Sequence, residues 1–507
     1  MKIIYIISFS LAIICSACND WLNVDPKDKV LEEKQYSSES NINSALNGLY
    51  RQMVAENLYG GQLSQTTIEM MAHYYFYPKE RPNTDIPIII SYELANHNYT
   101  WGGNKDRFAD IWKSAYELLL HINVYIKGVN ESPAIISQEH KDLLLGEAYA
   151  LRAYLHFDLY RLFCPYNAEA TDKVLPYNRR PDITLNHSDY ENIEYSTSGE
   201  YFAFLEEDIR IAKDLLKNDP ILNPDSKSIT DNLADDFYKN RNRRMNYYAL
   251  KGLEARVLQY SGKDTEAAQA AKEITDAVGT EGTLFRWVDP NKVTTEHNYI
   301  FFSEVVFGIN NIDMASRAKN YYLGTNILTA YIVDDNNLMK NILAYDNLLE
   351  SFPDVRARQW TFTNITSWVG YAADGAKVSN KYKTESSQIK AIKDLQVLMR
   401  ISEMYYIQAE AALNTGWKAD AIYFLNQVLQ HRGLSAQYFV TESMSEETIR
   451  DHIKREYYRE FFGEGQVFFY HKRLKSPTMY KGNAEGSDDI TPDKSYVIPI
   501  PDIETNI

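Results

Sequence analysis

Apolar side chains in residues 106–127 return at steps of three and one: Phe108, Ile111, Trp112, Ala115, Leu118, Leu119, Ile122, Tyr125 and Ile126. That rhythm lays a single stripe along a helix of 3.6 residues per turn and would scatter across both faces of a strand. A second stripe follows in 141–163, with Leu144, Ala148, Leu151, Leu155, Leu159 and Leu162. The same period predicts helices over 41–56, 199–217, 244–260, 264–277, 395–414, 418–431 and 445–470. Helices striped on one side must bury that side against other helices, so the chain is expected to be all-α, that is, mainly α-helical.

Several helices come as hairpins. One turns at Tyr260-Ser261-Gly262-Lys263 and returns with Ala267, Ala271 and Ile274 on one face. Another turns at Asn414-Thr415-Gly416 and returns with Ala419, Ile422, Leu425 and Val428. Small residues at helix crossings in units of about 34 residues are the habit of tetratricopeptide repeats. The pattern lapses over 285–390, where Glu304-Val305-Val306-Phe307 reads as a strand between turn-rich stretches such as Asp334-Asp335-Asn336-Asn337 and Ala372-Ala373-Asp374-Gly375. Trp287, Trp360 and Trp368 fall in this stretch. Loops on a rigid scaffold are where binding residues collect.

The N-terminus is an address. Lys2 precedes an apolar run from Ile3 to Ile14, and Cys15-Ser16-Ala17-Cys18 comes before polarity rises at Asn19-Asp20. Such a run is short of the roughly 20 residues that span a bilayer, and its layout is that of a signal peptide. A cysteine after Ser16-Ala17 is what bacterial lipoprotein processing acylates, so 1–17 is expected to be removed and Cys18 to carry lipid. Residues 18–40 would then be anchor and tether. Several acyl chains hold a protein on a membrane where one chain is marginal. Cys164, alone in the body in Arg161-Leu162-Phe163-Cys164-Pro165, reads as a passive buried thiol.

Charge and motif exclude several functions. With 53 basic and 69 acidic residues, a net −16, the chain lacks the basic surface of a general nucleic-acid binder. No P-loop, GxGxxG, GxSxG or HExxH occurs, so no cofactor is expected. Asp334-Asp335 is a candidate for calcium but lacks the glycine and closing glutamate of an EF-hand. Glu456, Glu460 and Glu464 share one helix face and could suggest a glycosidase pair. Lys454, Arg455 and Arg459 interleave with them, which favours ion pairing, and the chain is read as no enzyme.

The aromatics offer a positive lead: 39 Tyr, 20 Phe and 7 Trp. Pyranose rings stack their C–H faces on Trp and Tyr, while their hydroxyls need amide or charged partners. Trp101 with Gly102-Gly103-Asn104 supplies a ring, a close-approach backbone and an amide. Tyr74, Tyr321, Tyr322, Trp287, Trp360 and Trp368 complete the candidate ligand site, and a peptide would use similar surfaces.

These segments resemble, in order and over nearly the whole chain, the SusD/RagB nutrient-binding lipoproteins of the Bacteroidota outer membrane. The resemblance is carried by Asn19-Asp20-Trp21-Leu22-Asn23-Val24-Asp25-Pro26, Asn47-Gly48-Leu49-Tyr50, and Ile111-Trp112-Lys113-Ser114-Ala115-Tyr116 with Ile122-Asn123. It continues in Glu147-Ala148-Tyr149-Ala150-Leu151-Arg152-Ala153-Tyr154 to Phe157-Asp158-Leu159 and in Arg400-Ile401-Ser402-Glu403-Met404-Tyr405 with Ala409-Glu410-Ala411. Arg455-Glu456, Glu460-Phe461, Glu464-Gly465 and Pro499-Ile500-Pro501 with Glu504 complete it. Tyr470-His471-Lys472-Arg473-Leu474 and Cys164-Pro165 depart from the pattern locally. The resemblance implies a SusD-like fold: a helical N-terminal region with repeat-like hairpins (41–284), a loop-rich ligand region (285–390), C-terminal hairpins (391–475) and a tail (476–507). It implies a non-catalytic lid that captures an oligosaccharide, or in some members a peptide, over a SusC-like TonB-dependent transporter. A protein-interaction scaffold is the remaining alternative.

Overall fold

The computed structural model describes residues 34–83, 86–181, 194–223, 236–280, 283–322, 332–334, 337–343, 353–362, 367–368, 371–372, 377–383, 387 and 389–502. The leader, Cys18 and most of the tether lie outside the described residues, as do Asp335 and the side chain of Trp368.

The scaffold is mainly helical. Helices α1 (Glu39–Met53), α2 (Thr67–Met71) and α3 (Ile86–Ala95) lead to the long α4 (Gly102–Glu131) and α5 (Gln138–Phe163), which pack on each other and on α6 (Ser198–Leu215). Local chemistry starts several of these. Ser137 accepts from the backbone N–H of His140, and Thr197 and Glu200 form a reciprocal capping box that satisfies two otherwise orphaned N–H groups. The hairpins are α7 (Tyr247–Tyr260) with α8 (Asp264–Thr275), and α10 (Ile401–Asn414) with α11 (Lys418–His431); α8 also packs on α10 and joins them into one stack. Ala267 and Ala271 are buried at the first crossing as expected. In the second hairpin Leu425 and Val428 are buried and Ile422 packs on the core as expected, but the buried small residue is Ala421 and Ala419 is exposed.

The structure differs from the expected helices in two instructive places. Residues 395–400 form a strand, β8 (Leu395–Arg400), antiparallel to β3 (Val305–Asn310), and α10 begins only at Ile401. Every residue of β8 is buried, and a six-residue apolar run buried on both faces carries no period to separate strand from helix. The expected helix over 445–470 is broken into α12 (Glu446–Glu460) and α13 (Val467–Leu474). Gly465 lies in the break at φ 71, and a Cβ there would stand 2.2 Å from the Leu63 carbonyl oxygen, so only glycine fits. Helix α2 is too short and α3 too evenly apolar to show a stripe, while α9 (Met314–Tyr322), in the stretch expected to be irregular, buries Met314, Ala318 and Tyr322 along one side. Besides β3, the described strands in 285–390 are short: β2 (Phe285–Arg286) pairs with β1 (Val278–Gly279), β4 (Trp360–Phe362) with β7 (Lys377–Ser379), and β5 (Ser367–Trp368) with β6 (Tyr371–Ala372).

One hydrophobic core runs from Tyr36 to Ile498 and so joins the four segments of the body. Through it passes a lattice of buried charges. Arg432 bonds Glu304 at 2.6 and 2.7 Å and Glu460 at 2.5 and 3.1 Å. Arg356 bonds Glu456 at 2.8 and 3.1 Å, Glu460 at 3.0 Å and Asp354 at 2.7 Å. Arg400 and Lys381 both meet Glu464, the lysine at 2.7 Å. The ion pairing expected of the glutamate face is there, but most of its cations come from distant segments; on its own helix only Arg459 joins, while Lys454 and Arg455 pair with Asp451. Removing one partner of such a set strands the others in low dielectric. Glu460→Gln should therefore lower stability in urea unfolding by about 3–5 kcal/mol, against about 0.5 kcal/mol for Glu206→Gln in its exposed pair with Lys263.

Buried imidazoles set a pH limit. Burial pushes the pKa of His97, His156 and His471 down to about 3 from 6.5. His156 is fully buried between the Tyr201 hydroxyl at 2.9 Å and the Asn178 carbonyl at 3.2 Å. Between pH 6.5 and 3 the unfolded chain binds more protons at these sites, so stability falls as pH falls, by roughly 1.4 kcal/mol per unit for each histidine. Burial raises the Glu456 carboxyl, but Arg356 and Arg459 outweigh it and hold the group at about 2, which adds a loss of the same sign below pH 4.5. Melting temperature should drop steadily from pH 6.5 to 5 and more steeply below 4.5; a flat profile above pH 5 would show the imidazoles to be solvated.

Candidate functional site

The expected ring cluster exists, but it is inside the molecule. Tyr74, Tyr322 and Trp360 converge on Phe462, with ring centroids 5.4, 5.6 and 4.6 Å away. Tyr74 is fully buried and donates its hydroxyl to the Tyr458 carbonyl at 2.7 Å; Tyr322 is 1% and Trp360 8% exposed. Asn104 is also fully buried, its amide donating to the Asn98 carbonyl at 2.8 Å. These four residues face the core because an aromatic or an amide in a loop-covered segment buries its area as readily as one in a helix, and they are withdrawn as ligand contacts. Trp287 is half-buried and stacked on His431 at 4.7 Å, with the Arg432 guanidinium 5.2 Å from its ring, which makes it a packing residue. Tyr321 is half-buried and donates to Glu56. Trp101 is half-buried at the start of α4, its indole over Gly103, where a Cβ would come within 2.2 Å of the ring. Trp368 has its backbone in a strand, and its side chain lies outside the described residues.

A cleft of about 500 Å³ opens instead between the segment 73–97 and the C-terminal segment 481–495. One wall begins at His73, just after α2, in the left-handed region at φ 61, and the chain then runs extended so that Tyr75 turns inward and Tyr77 lines the cleft. The same wall ends at Asn96 and His97, beyond α3, with His97 at φ 52. The other wall is the hairpin β9 (Thr478–Tyr480) and β10 (Ser487–Asp489) with the single turn Pro492–Ser495.

Polar contacts sew the walls together. Tyr77 donates to Asp488 at 2.6 Å, and Asn483 donates to the Tyr77 carbonyl at 3.0 Å. Tyr99 donates to the Ser495 carbonyl at 2.5 Å. His73 sits between the carbonyls of Ala95, 2.8 Å from Nε2, and Tyr480, 3.1 Å from Nδ1. Gly482 crosses so close that a Cβ would stand 2.3 Å from the Tyr75 carbonyl oxygen. His97 Nε2 lies 3.0 Å from the Met71 carbonyl, which takes its N–H and leaves Nδ1 an acceptor in a ring that burial keeps neutral. Burial and the Asp488 carboxylate push the Tyr77 phenol well above its usual pKa, so it too stays neutral.

With walls of hydroxyl, amide, imidazole, carboxylate and ammonium groups, the cleft can hold a polyhydroxylated ligand through hydrogen bonds. Among the described residues no group of three or more His, Cys, Asp or Glu could hold a metal ion. Asp334, offered for calcium, is buried and accepts the N–H of Asn337 at 3.2 Å.

Residues 226–497 match the model of the SusD family. The chain belongs to the SusD family. Residues 20–229 match a related model described as starch-binding and associating with the outer membrane. Among curated relatives, two SusD-like proteins of Formosa agariphila match: P25 at 24% identity over 201 residues, 39% of this chain and 38% of that one, and P38 at 25% over 167 residues, 32% and 29%. The match thus spans well under half the length of either relative. Solved structures share the fold over almost the whole chain. A SusD superfamily protein of Bacteroides thetaiotaomicron superposes with a TM-score of 0.68 at 18% identity, covering 92% of this chain and 98% of that one. A SusD-like carbohydrate binding protein of Bacteroides vulgatus gives 0.65 at 17%, covering 93% and 96%, and a laminarin binding SusD-like protein gives 0.59 at 18%, covering 93% and 98%.

No signal in the sequence marked His73, Tyr77 or His97, whose placement depends on a wall about 400 residues away. Tyr74→Phe should lower stability by about 1 kcal/mol through its lost hydrogen bond and leave glycan retardation in native gels unchanged.

Proposed function

We propose that this protein is an outer-membrane lipoprotein, anchored through Cys18 and exposed at the cell surface, that captures oligosaccharides or polysaccharide fragments in the 73–97/481–495 cleft and hands them to a SusC-like TonB-dependent transporter without breaking a bond. The observation that carries the reading is the cleft itself, whose volume of about 500 Å³ falls in the usual range for small-ligand sites and whose walls are mostly polar, with Pro78, Ala95, Ala484 and Ile490 between the polar groups. Family membership supports it, as do the carbohydrate names of two structural neighbours. The family description supports association with the outer membrane, and no described helix is long and apolar enough to cross one.

The glutamate face that resembled a glycosidase pair argues against hydrolysis at that place. Glu456 and Glu460 are 1% and 2% exposed and saturated by arginines, and a carboxyl held at about 2 gives no general acid near neutral pH. The hairpin α10–α11 carries Trp417 at its turn and Tyr423 on its outer face, 66% and 57% exposed, rings that a transporter partner would cover.

The test is native affinity electrophoresis of the full chain through gels carrying single polysaccharides, with Tyr77→Ala and Trp101→Ala beside the natural protein. Retardation by at least one glycan is expected. Tyr77→Ala should weaken it by about ten-fold or more, since it removes a ring and a wall contact together worth about 1–3 kcal/mol. Trp101→Ala should leave it within about two-fold, because that residue stands outside the cleft. Binding of a peptide mixture with no glycan bound would replace glycan capture by peptide capture.

A further inference from the structure

Resting on the reading that this cleft captures a glycan, we propose that it selects an anionic one, gripping a carboxylate or sulfate ester on the sugar between the ammonium groups of Lys79 and Lys494. The chain as a whole carries −16, yet the cleft is lined by Lys79, Lys481 and Lys494 against two carboxylates, Asp488 and Asp489. Asp488 is already engaged: it accepts the Tyr77 hydroxyl at 2.6 Å and faces Lys481 at 3.9 Å. Lys79 and Lys494 are in no ion pair among the described residues, and against them stands the one further carboxylate of the lining, Asp489, so three ammonium groups and two carboxylates leave the cleft a formal surplus of one positive charge.

Lys494 is held in place from below. Its turn starts at Thr491, whose carbonyl accepts the Lys494 N–H at 3.0 Å, and the next residue, Ser495, is tied to Tyr99 at 2.5 Å. Lys79 projects from the opposite wall, two residues after Tyr77. The two ammonium groups thus belong to different walls that meet across the opening.

The rest of the lining points the same way. No Trp or Phe lines the cleft, so the stacking surface open to a neutral pyranose is limited to the Tyr77 ring and the two imidazoles. Hydroxyl partners remain in the amide of Asn96, the hydroxyl of Thr491 and the Nδ1 acceptor of His97. A ligand with one anionic group and flanking hydroxyls would satisfy both sets, whereas a neutral sugar would leave the lysines in water. The overall negative charge is no obstacle at contact, because charges further than about 8 Å are screened at physiological salt.

The experiment compares matched polymers that differ only in charge: polygalacturonate against its methyl ester, and dextran sulfate against dextran. Each is run with the full chain, with the Lys79→Gln, Lys494→Gln double variant, and with Lys263→Gln, which breaks an exposed pair outside the cleft. Binding of a charged member at least ten-fold tighter than its neutral twin is expected, with a loss of about ten-fold or more in the double variant, as charge-assisted hydrogen bonds predict. Lys263→Gln should bind as the natural protein does. Which pair discriminates tells carboxylate from sulfate. The proposal is overturned if the neutral twin binds as tightly, or if the double variant keeps its affinity, and in both outcomes capture of a glycan still stands. If neither member of either pair binds and neutral polysaccharides fail as well, the capture reading falls and this one with it.

Discussion

The lattice of Glu304, Asp354, Arg356, Lys381, Arg400, Arg432, Glu456, Glu460 and Glu464 is the constraint on which the irregular half of the molecule depends. Each of these ions loses water on folding at a cost of several kcal/mol, and the cost is offset only when its partners arrive with good geometry. The partners are scattered over more than a hundred residues. A strand end, two turns, a helix terminus and one face of α12 must therefore come together at once. Apolar packing alone tolerates sliding, since it asks only for area and volume. Bidentate arginine–carboxylate pairs do not slide, because the guanidinium fork accepts one orientation. The charges thus specify how the described parts of 300–400 around Glu304, Arg356, Lys381 and Arg400 are pinned to the helices, a stretch too poor in period to specify itself.

The same logic runs through the residues that carry the family resemblance. Tyr50 donates to Glu147 at 2.6 Å, joining α1 to α5, and Glu147 also meets Arg241. Arg152 holds Asp208 in two bonds of 2.6 and 2.8 Å, and Asp158 accepts Tyr59 at 2.7 Å. Glu403 is paired with Arg256 at 2.6 and 2.7 Å, and Glu410 with Arg473. These motif residues are parts of the scaffold. They identify the family by how it folds, and none of them lines the cleft.

Helix periods were legible where a helix buries one stripe: 102–131 lies over its expected span and 418–431 coincides with its own, while 138–163 keeps its leucine spacing although nearly all of it from Leu143 onward is buried. The strand at 395–400 was not, since a run buried on both faces looks alike in either conformation. Nor was the break at 461–466, which is dictated by the backbone of Leu63 meeting Gly465. For the proposed cleft, the described aromatic residues singled out from the sequence lie outside its lining. Tyr74 and Tyr77 are three residues apart in one aromatic stretch, but the first closes the core on Phe462 and the second opens on the cleft. The choice between them is made by the left-handed turn at His73 and by the C-terminal hairpin, both tertiary facts.

The manner in which the cleft is joined differs from the manner in which the scaffold is joined. Scaffold segments are locked by buried ions, whereas the cleft walls, which share the apolar core through Tyr77, Tyr480 and Ile490, are otherwise joined by single hydrogen bonds: Tyr77 to Asp488, Asn483 to the Tyr77 carbonyl, Tyr99 to Ser495, and Asn341, which accepts the Gly486 N–H at 2.7 Å. Each of these is worth about 1 kcal/mol net, so the wall is held by a sum of small terms that a bound ligand can match or trade against. The ions of the lattice and the rim residues of the cleft are different side chains, so an exchange at the rim leaves the lattice beneath it intact.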